Sequence, residues 1–186
     1  KKNEILNEAE FSGIVPRTEF YGSQTSDRKI CYVVDCSGSM KPVFRFVKEK
    51  LSESVNALAA DQFFAVIFFG NGRIEHFPFD GLARASVKNK CAAIEFVDSI
   101  KAAGTTNAVD ALERSLGIDG VQTVFFLTNG FELEGEGQAD LEIESLAGKT
   151  SGEVKINTIG FWPQKRDIEI LKLIADRTSG EFIFVT

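Results

Sequence analysis

The sequence predicts an α/β fold: one doubly wound domain with a mostly parallel central sheet, helices on both faces and one short antiparallel edge strand. Apolar segments of strand length alternate along the chain with segments whose apolar residues recur every three or four positions. Four of the strand segments are nearly continuous runs of Val, Ile and Phe. Such strands are buried on both faces, which requires helices above and below the sheet. The 186 residues suit one domain with a substantial core.

The predicted strands are short apolar runs bounded by turn residues. The turn Gly70-Asn71-Gly72 separates two of these runs, so the second is expected to pair antiparallel with the first at the edge of the sheet. The other connections are long enough for helical crossovers, which are right-handed in such folds. The predicted strands span residues 30–35, 63–69, 73–77, 121–128, 154–160 and 182–185.

The predicted helices follow from apolar residues at helical spacing. Pro42 suits the first turn of the first helix, where a missing N–H costs nothing, and Gly117 suits the end of the third. The helices are expected at 42–60, at 87–104, at 109–117, up to about Gly148 after a Glu-rich loop, and at 167–178. The residues expected to face the core in the second helix are Val87, Cys91, Ile94, Val97 and Ile100.

The domain is expected to occupy residues 28–186, because the alternation of strands and helices begins there. Residues 1–27 are polar and are interpreted as an irregular lead-in, with Phe20 and Tyr21 packing across the edge of the domain. The sequence contains no internal repeat, low-complexity tract or second domain. It begins at Lys1 without a visible signal peptide, so we interpret it as a fragment or a mature form.

Charge and composition exclude several classes of function. The net charge of −6 and the pI of about 5.0 disfavour nonspecific attraction to nucleic acid or anionic lipid. No segment approaches 18 consecutive apolar residues, so no direct membrane insertion is expected. The three cysteines, Cys31, Cys36 and Cys91, show no CxxC spacing and cannot all pair. They are interpreted as ordinary buried thiols.

Oxygen-bearing side chains follow the predicted strands at the point where ligands bind in open α/β sheets. Asp35, Ser37 and Ser39 come directly after the first strand, and a tight turn at Gly38 would direct their oxygens toward one point. Asn129 follows the third long strand and offers an amide oxygen. The loop before the short helix, residues 104–107, adds threonine hydroxyls. With no His or Cys among them, these ligands suit Mg²⁺ or Mn²⁺, or Ca²⁺, rather than zinc.

Each of these residues also has a structural interpretation. Thr106 could cap the helix that begins near Asn107, and it could serve both purposes. Asn129-Gly130 could be a turn dipeptide, since asparagine tolerates left-handed backbone geometry. The acidic residues Glu132, Glu134 and Glu136 are interpreted as a solvated surface, or else as neighbours of the site. Phe161 and Trp162 are interpreted as core or rim packing, with a binding platform as the alternative.

The motifs resemble those of von Willebrand factor A domains. The run from Val33 to Met40, with Asp35-Cys36-Ser37-Gly38-Ser39 at its centre, resembles the DxSGSM signature of that family. Residues 104–112 and 127–130 resemble its threonine loop and its "LTDG" loop, and the stretch from Ile156 to Gly180 resembles its C-terminal portion. The resemblance covers roughly residues 28–186 and points to a bacterial-type member.

The resemblance implies a metal ion-dependent adhesion site. Its ligands would be Asp35, Ser37, Ser39 and Thr106, with Thr106 preferred to Thr105 because the threonine of bacterial members directly precedes the position of Asn107. Asn129 stands where the family has an aspartate, which reaches the metal through water, and an amide can also hold a water. A protein partner presenting an Asp or Glu carboxylate would complete the coordination, in an adhesion or scaffolding role.

Enzymatic alternatives lack their motifs. The only histidine, His76, falls on the predicted edge strand, and the GxSxG elbow of a Ser-His-Asp hydrolase is absent. A Walker A loop and a GxGxxG motif are also absent. A metal phosphohydrolase remains a rival, although the second carboxylate pair and general base of that chemistry are missing. We therefore expect no enzyme. A domain that keeps the fold, has lost the metal and binds partners through other surfaces is the other alternative.

Overall fold

The computed structural model describes residues 17–70, 72–105, 108–131 and 154–186. A short 3-10 turn at Gly38–Met40 follows the third strand. The helices are α1 (Phe44–Ala57), α2 (Val87–Ser99), α3 (Ala108–Leu116) and α4 (Lys165–Arg177). The strands are β1 (Thr18–Phe20), β2 (Ser23–Thr25), β3 (Lys29–Asp35), β4 (Phe63–Gly70), β5 (Arg73–Phe77), β6 (Ala83–Arg84), β7 (Thr123–Thr128), β8 (Lys155–Phe161) and β9 (Phe182–Val185).

The central sheet has the strand order β5-β4-β3-β7-β8-β9. All its neighbours pair in parallel except β5, which pairs antiparallel with β4 as predicted. The two-residue strand β6, which was not predicted, also pairs antiparallel with β4. Because β3 has β4 on one side and β7 on the other, the strand order reverses beside β3. Ligands of open α/β sheets bind at the carboxyl ends of the strands at such a reversal.

Helices cover both faces of the sheet, which confirms the doubly wound architecture. On one face α1 and α2 share a core cluster with Tyr32 and Val34 of β3, and on the other α3 and α4 share one with Cys31 and Val33. The strands β3, β4 and β7 are almost completely buried, as their continuous apolar runs predict. No helix among the described residues is long and apolar enough to cross a bilayer.

The predicted irregular lead-in, residues 1–27, is wrong over residues 18–25, where β1 and β2 form an antiparallel hairpin. Phe20 is only 2% exposed, and its ring lies 5.4 Å from that of Tyr32 and 5.9 Å from that of Phe125. The hairpin therefore packs on the face of the sheet and contributes to the core, because it carries a large aromatic side chain. Residues 1–16 lie outside the described part of the chain.

The predicted inward face of α2 is wrong at its beginning. Val87 is 80% exposed and Cys91 is exposed, whereas Ala93 and Val97 are buried. Lys90 explains the difference, because its Nζ donates hydrogen bonds to the carbonyls of residues 56 and 58 at the C-terminal end of α1. The aliphatic stem of Lys90 lies along α1, and its ammonium group binds the last carbonyls of that helix. This contact replaces the apolar contact that was predicted.

Three further predictions are corrected, two at element boundaries and one at a cysteine. Helix α1 begins at Phe44, so Pro42 precedes it, and α2 ends at Ser99 rather than near Gly104. Cys31 and Cys36 are buried thiols as expected, but Cys91 lies on the solvent side of α2. The Glu-rich loop and the helix expected to end near residue 148 fall within residues 132–153, outside the described residues.

Candidate metal site

The site begins where β3 and β7 end side by side. Val34 of β3 is in register with Leu127 of β7, which places Asp35 and Thr128 next to each other at the carboxyl ends of the two strands. The Thr128 hydroxyl donates a hydrogen bond of 2.6 Å to Asp35 Oδ2, and the Ser37 N–H donates one of 2.7 Å to Oδ1. Both oxygens of the carboxylate are therefore fixed in orientation.

Asp35 is fully buried, and this burial dominates its electrostatics. Burial raises the pKa of Asp35 above its ordinary value, because a charged carboxylate loses its hydration. The hydrogen bonds from Thr128, Ser37 and the backbone of Asn129 act in the opposite direction, but they do not cancel the effect of burial. Because burial outweighs the hydrogen bonds, the charged form of Asp35 would be stabilised by a nearby cation.

The hydroxyls of Ser37 and Ser39 extend the site from Asp35 toward the surface. Ser39 Oγ donates a hydrogen bond of 3.0 Å to Asn129 Oδ1, and the Ser37 and Ser39 oxygens are 2.8 Å apart. Ser37 is buried and Ser39 is exposed, so the row of oxygens runs from the core to solvent.

The loop after β3 is held in place by backbone contacts to the end of β4 and to the loop after α2. Cys36 N donates to Phe69 O at the end of β4, over 2.8 Å. Gly38 N donates to Gly104 O over 2.8 Å, and Ala103 N donates to Cys36 O over 2.9 Å. A side chain at Gly70 would place its Cβ 2.8 Å from the backbone carbon of Cys36, so glycine is required for this approach.

The structure brings together four of the five predicted ligands, Asp35, Ser37, Ser39 and Asn129, although a bound ion stays a prediction. Thr106, the fifth, lies outside the described residues. Its neighbour Thr105 is exposed, in the same loop as Gly104, whose carbonyl binds the loop after β3. The loop expected to carry Thr106 is thus anchored to the site.

Two residues with a role in the site were missed by the sequence analysis. Thr128 was identified only as the end of a predicted strand and as part of the segment 127–130, yet its side chain donates a hydrogen bond to Asp35. A threonine at the end of a continuous apolar strand was the available signal.

Asp167, in the first turn of α4, accepts hydrogen bonds from Phe131 N at 3.2 Å and Gln164 N at 3.1 Å. It ties the loop after β7 to α4, and only the fold could reveal this contact.

The donor set fits a hard divalent cation. It consists of one carboxylate, two hydroxyls and one amide oxygen, which are ligand types of Mg²⁺. Ligand oxygens about 2.1 Å from an octahedral ion lie about 3 Å from their neighbours. The observed separations of 2.8 Å between the Ser37 and Ser39 oxygens and 3.0 Å between those of Ser39 and Asn129 match this spacing. Among the described residues, no cluster of three or more His, Cys, Asp or Glu offers another metal site.

The two aromatic residues at the end of β8, Phe161 and Trp162, follow different interpretations: Phe161 belongs to the core, and Trp162 is exposed. Phe161 is 5% exposed and packs edge-on against Tyr21, so it belongs to the core. Trp162 is 58% exposed and has a left-handed backbone, with φ of 42°. It follows β8 at the same edge of the sheet as Asp35 and Thr128. A large exposed ring at this edge is available for contact with a partner.

The fold is found in solved structures of other proteins. A von Willebrand factor type A protein from Catenulispora acidiphila matches with a TM-score of 0.74 and 23% identity, over 88% of this chain and 40% of the other. The SpRpn10 VWA domain matches with a TM-score of 0.61 and 11% identity, over 84% of this chain and 86% of that domain.

A pilus adhesin, SpaC of Lactobacillus rhamnosus GG, matches with a TM-score of 0.64 and 13% identity, over 86% of this chain and 28% of the adhesin. This chain therefore spans less than half the length of the Catenulispora protein and of the adhesin. No protein-family model and no curated protein matches the sequence. The likeness lies in the fold.

Proposed function

We propose that this chain, whose fold is that of von Willebrand factor A domains, is a protein-binding module that engages a partner's carboxylate through a bound divalent cation. The observation that carries the proposal is the convergence of Asp35, Ser37, Ser39 and Asn129 at the point where the strand order of the sheet reverses. Two of the similar structures are von Willebrand factor A proteins or domains, and a third is a pilus adhesin.

The charge of the site explains why a partner with a carboxylate side chain is expected. Asp35 is the only charged group among the four residues, so a bound Mg²⁺ or Mn²⁺ would keep a net positive charge. Ser39 is exposed, which leaves the outer side of the site open to a further ligand. An Asp or Glu side chain of another protein supplies a hard, negatively charged oxygen, the type of ligand that such an ion prefers.

The same geometry favours a binding module over a phosphohydrolase. Asp35 hydrogen-bonds to Thr128 and Ser37, and these contacts include no second carboxylate or histidine. His76 instead contacts the carbonyl of Pro78 and the guanidinium of Arg114. A general base would have to lie within hydrogen-bonding reach of the attacking water, and none of the described contacts of the site provides one.

Metal binding is tested by calorimetric titration of the chain with Mn²⁺ and Mg²⁺. Ser39→Ala removes an exposed hydroxyl and should fold normally, while its affinity for either ion should fall about tenfold, or about 1.4 kcal/mol. Ser26→Ala, at an exposed serine before β3, is the matched control and should bind like the wild type.

A second titration tests the partner. The Mn²⁺-loaded chain should bind a peptide containing aspartate more tightly than the same peptide with asparagine, and EDTA should abolish the difference. Equal ion binding by wild type and Ser39→Ala would exclude these ligands and favour the alternative, a metal-free interaction module. Metal-dependent turnover of a phosphoester that is lost in Asp35→Asn would favour the phosphohydrolase.

A further inference from the structure

A cavity lies between α3 and the strands β4 and β5. Its volume is about 630 Å³, within the range of about 300 to 1,000 Å³ that is usual for ligand pockets. We call it the α3 groove, defined by Ile67, Ile74, His76, Glu113, Ile118 and Asp119 with the loop at residues 78–81. No residue of the candidate metal site lines it.

The floor of the α3 groove is apolar. Ile67 of β4 is buried, and Ile74 of β5 and Ile118 after α3 are partly buried against the same core cluster. The groove exists because α3 has only nine residues and packs mainly on β3 and β4, so it leaves part of the edge strand β5 uncovered. A ligand that covers this floor with aliphatic carbon buries apolar surface, which favours binding.

The rim of the groove carries excess negative charge. Asp80, Asp110, Glu113 and Asp119 line the groove, and all four are exposed, whereas Arg114 is the only Lys or Arg among the lining residues. Four carboxylates against one guanidinium attract a cation. An anion such as a phosphate would be repelled by the same rim.

Arg114 is engaged by the groove itself. Its Nη2 lies 3.3 Å from His76 Nε2, and His76 Nδ1 lies 2.9 Å from the carbonyl oxygen of Pro78. Since a guanidinium only donates hydrogen bonds, Nε2 accepts from Arg114 and Nδ1 donates to Pro78. The His76 ring also stacks on Phe79, with 5.6 Å between ring centroids. Arg114 is therefore held against the wall of the groove by its contact with His76.

Phe79 extends the apolar surface beyond the floor. Its side chain is 88% exposed, the highest fraction among the exposed large hydrophobic residues of the described chain. An exposed aromatic ring beside a groove is a typical contact point of protein interfaces, and it can also hold a cation over its face. Because Phe79 stacks on His76 and lies between the lining residues Pro78 and Asp80, it favours a ligand that is longer than one side chain.

We propose that the α3 groove binds a short basic segment of a partner protein. A lysine or arginine of that segment would lie with its aliphatic stem on Ile74 and Ile118 and its cationic head near Glu113 and Asp119. Such side chains bury their stems on apolar surface while the charge stays at the rim. The neighbouring residues of the segment would contact Phe79. This surface acts independently of any ion at Asp35.

The experiment uses the ¹⁵N-labelled chain and the capped pentapeptide Gly-Leu-Lys-Leu-Gly, followed by amide chemical shifts. The peptide should shift the amides of Ile74, His76 and Ile118 and leave those of Ser37 and Ser39 unchanged. Replacing its lysine by norleucine keeps the stem and removes the charge, so affinity should fall about tenfold. Replacing the lysine by glutamate should abolish binding.

Two double variants that each remove two negative charges distinguish binding at the groove from general electrostatic attraction of the peptide to the chain. Glu113→Gln with Asp119→Asn should weaken binding about fivefold. Glu95→Gln with Asp98→Asn changes two exposed carboxylates of α2, on the opposite face of the sheet, and should have no effect. Equal loss in both variants, equal affinity for the norleucine peptide, or no shifts at the groove would overturn the proposal. So would equally strong binding of n-butylamine, because the groove would then take a small amine alone.

Discussion

The hydroxyl of Thr128 donates a 2.6 Å hydrogen bond to the carboxylate of Asp35, and both side chains are completely buried. The contact joins two neighbouring strands at their carboxyl ends, and the Ser37 N–H fixes the other oxygen. The orientation of the only carboxylate in the candidate metal site is therefore set by the folded protein. Sites that are held in this way before binding lose less entropy when the ligand arrives.

Thr128→Val tests this contact directly. Valine has nearly the shape of threonine but no hydroxyl, so Asp35 Oδ2 loses its buried donor and the Gly130 N–H loses an acceptor. Leaving a buried polar group without a partner costs about 1 to 3 kcal/mol, and we expect the free energy of unfolding to fall by that amount in urea denaturation. Thr128→Ser keeps the hydroxyl and should lose less, about the effect of one methyl group. If valine proves as stable as serine at this position, the hydrogen bond contributes nothing.

Asn129→Asp tests whether the amide belongs to the metal site. The Asn129 oxygen is 3.0 Å from Ser39 Oγ, so a carboxylate there would lie close to a bound ion. Two unit charges about 4 Å apart interact by about 4 kcal/mol at an effective dielectric near 20, before desolvation is subtracted. We expect Mn²⁺ affinity to rise about tenfold, which requires about 1.4 kcal/mol.

The control for this prediction is Asn56→Asp, which adds the same charge at an exposed position of α1. Calorimetric titration with Mn²⁺ measures both variants at one ionic strength. Because the added charge at Asn129 makes the ion less electrophilic, a partner carboxylate should gain less from coordinating it. Unchanged ion affinity in Asn129→Asp would make Asn129 a turn residue outside the site.

The architecture and the proximity of four candidate ligands could be predicted because their signals are local in sequence. Buried parallel strands are continuous apolar runs, and the strand ends then identify which polar residues meet. Asp35, Ser37 and Ser39 are two residues apart and follow one strand, so a single loop brings them together. Asn129 required only the further expectation that β3 and β7 are neighbours.

The remaining features depend on contacts between distant segments. Helical spacing alone predicts that Val87 and Cys91 face the core. Instead Lys90 faces α1, where its Nζ donates a hydrogen bond to a carbonyl near the end of that helix, and Val87 is exposed. Phe20 joins the core through a hairpin too short to give a strand pattern. Asp167 reaches Phe131 across 36 positions of sequence. Such pairings are determined by the tertiary fold, so the sequence pattern contains no signal for them.

The three cysteines should differ in reactivity. Cys91 is exposed, whereas Cys31 and Cys36 are buried. Burial raises the pKa of Cys36 to about 12 and also raises that of Cys31, so at pH 8 both stay protonated thiols, which are poor nucleophiles. A disulfide reagent should label one thiol rapidly in the native chain and all three in denaturant. Cys91→Ser should remove the rapid phase, and a rapid phase that persists in this variant would contradict the burial of the other two.

Asp167 should connect helix α4 to the candidate metal site. Its carboxylate accepts hydrogen bonds from Phe131 N and Gln164 N, and a Cβ on Gly130 would lie 2.9 Å from its Oδ2. Asn129 precedes Gly130, so these contacts hold the segment that positions the Asn129 side chain. Asp167→Ala removes both acceptors and should lower the free energy of unfolding by about 1 to 2 kcal/mol. It should also weaken Mn²⁺ binding, because Asn129 is positioned less firmly.

Asp176→Ala is the matched control, since Asp176 lies exposed near the other end of α4. Both variants lose one negative charge, so a general electrostatic effect would weaken Mn²⁺ binding equally in the two. Gly130→Ala adds a third comparison, because it crowds Asp167 without removing its charge, and it should also weaken ion binding. If Asp167→Ala is destabilised but binds Mn²⁺ like the control, Asp167 supports only the fold, and α4 has no influence on the site at Asn129.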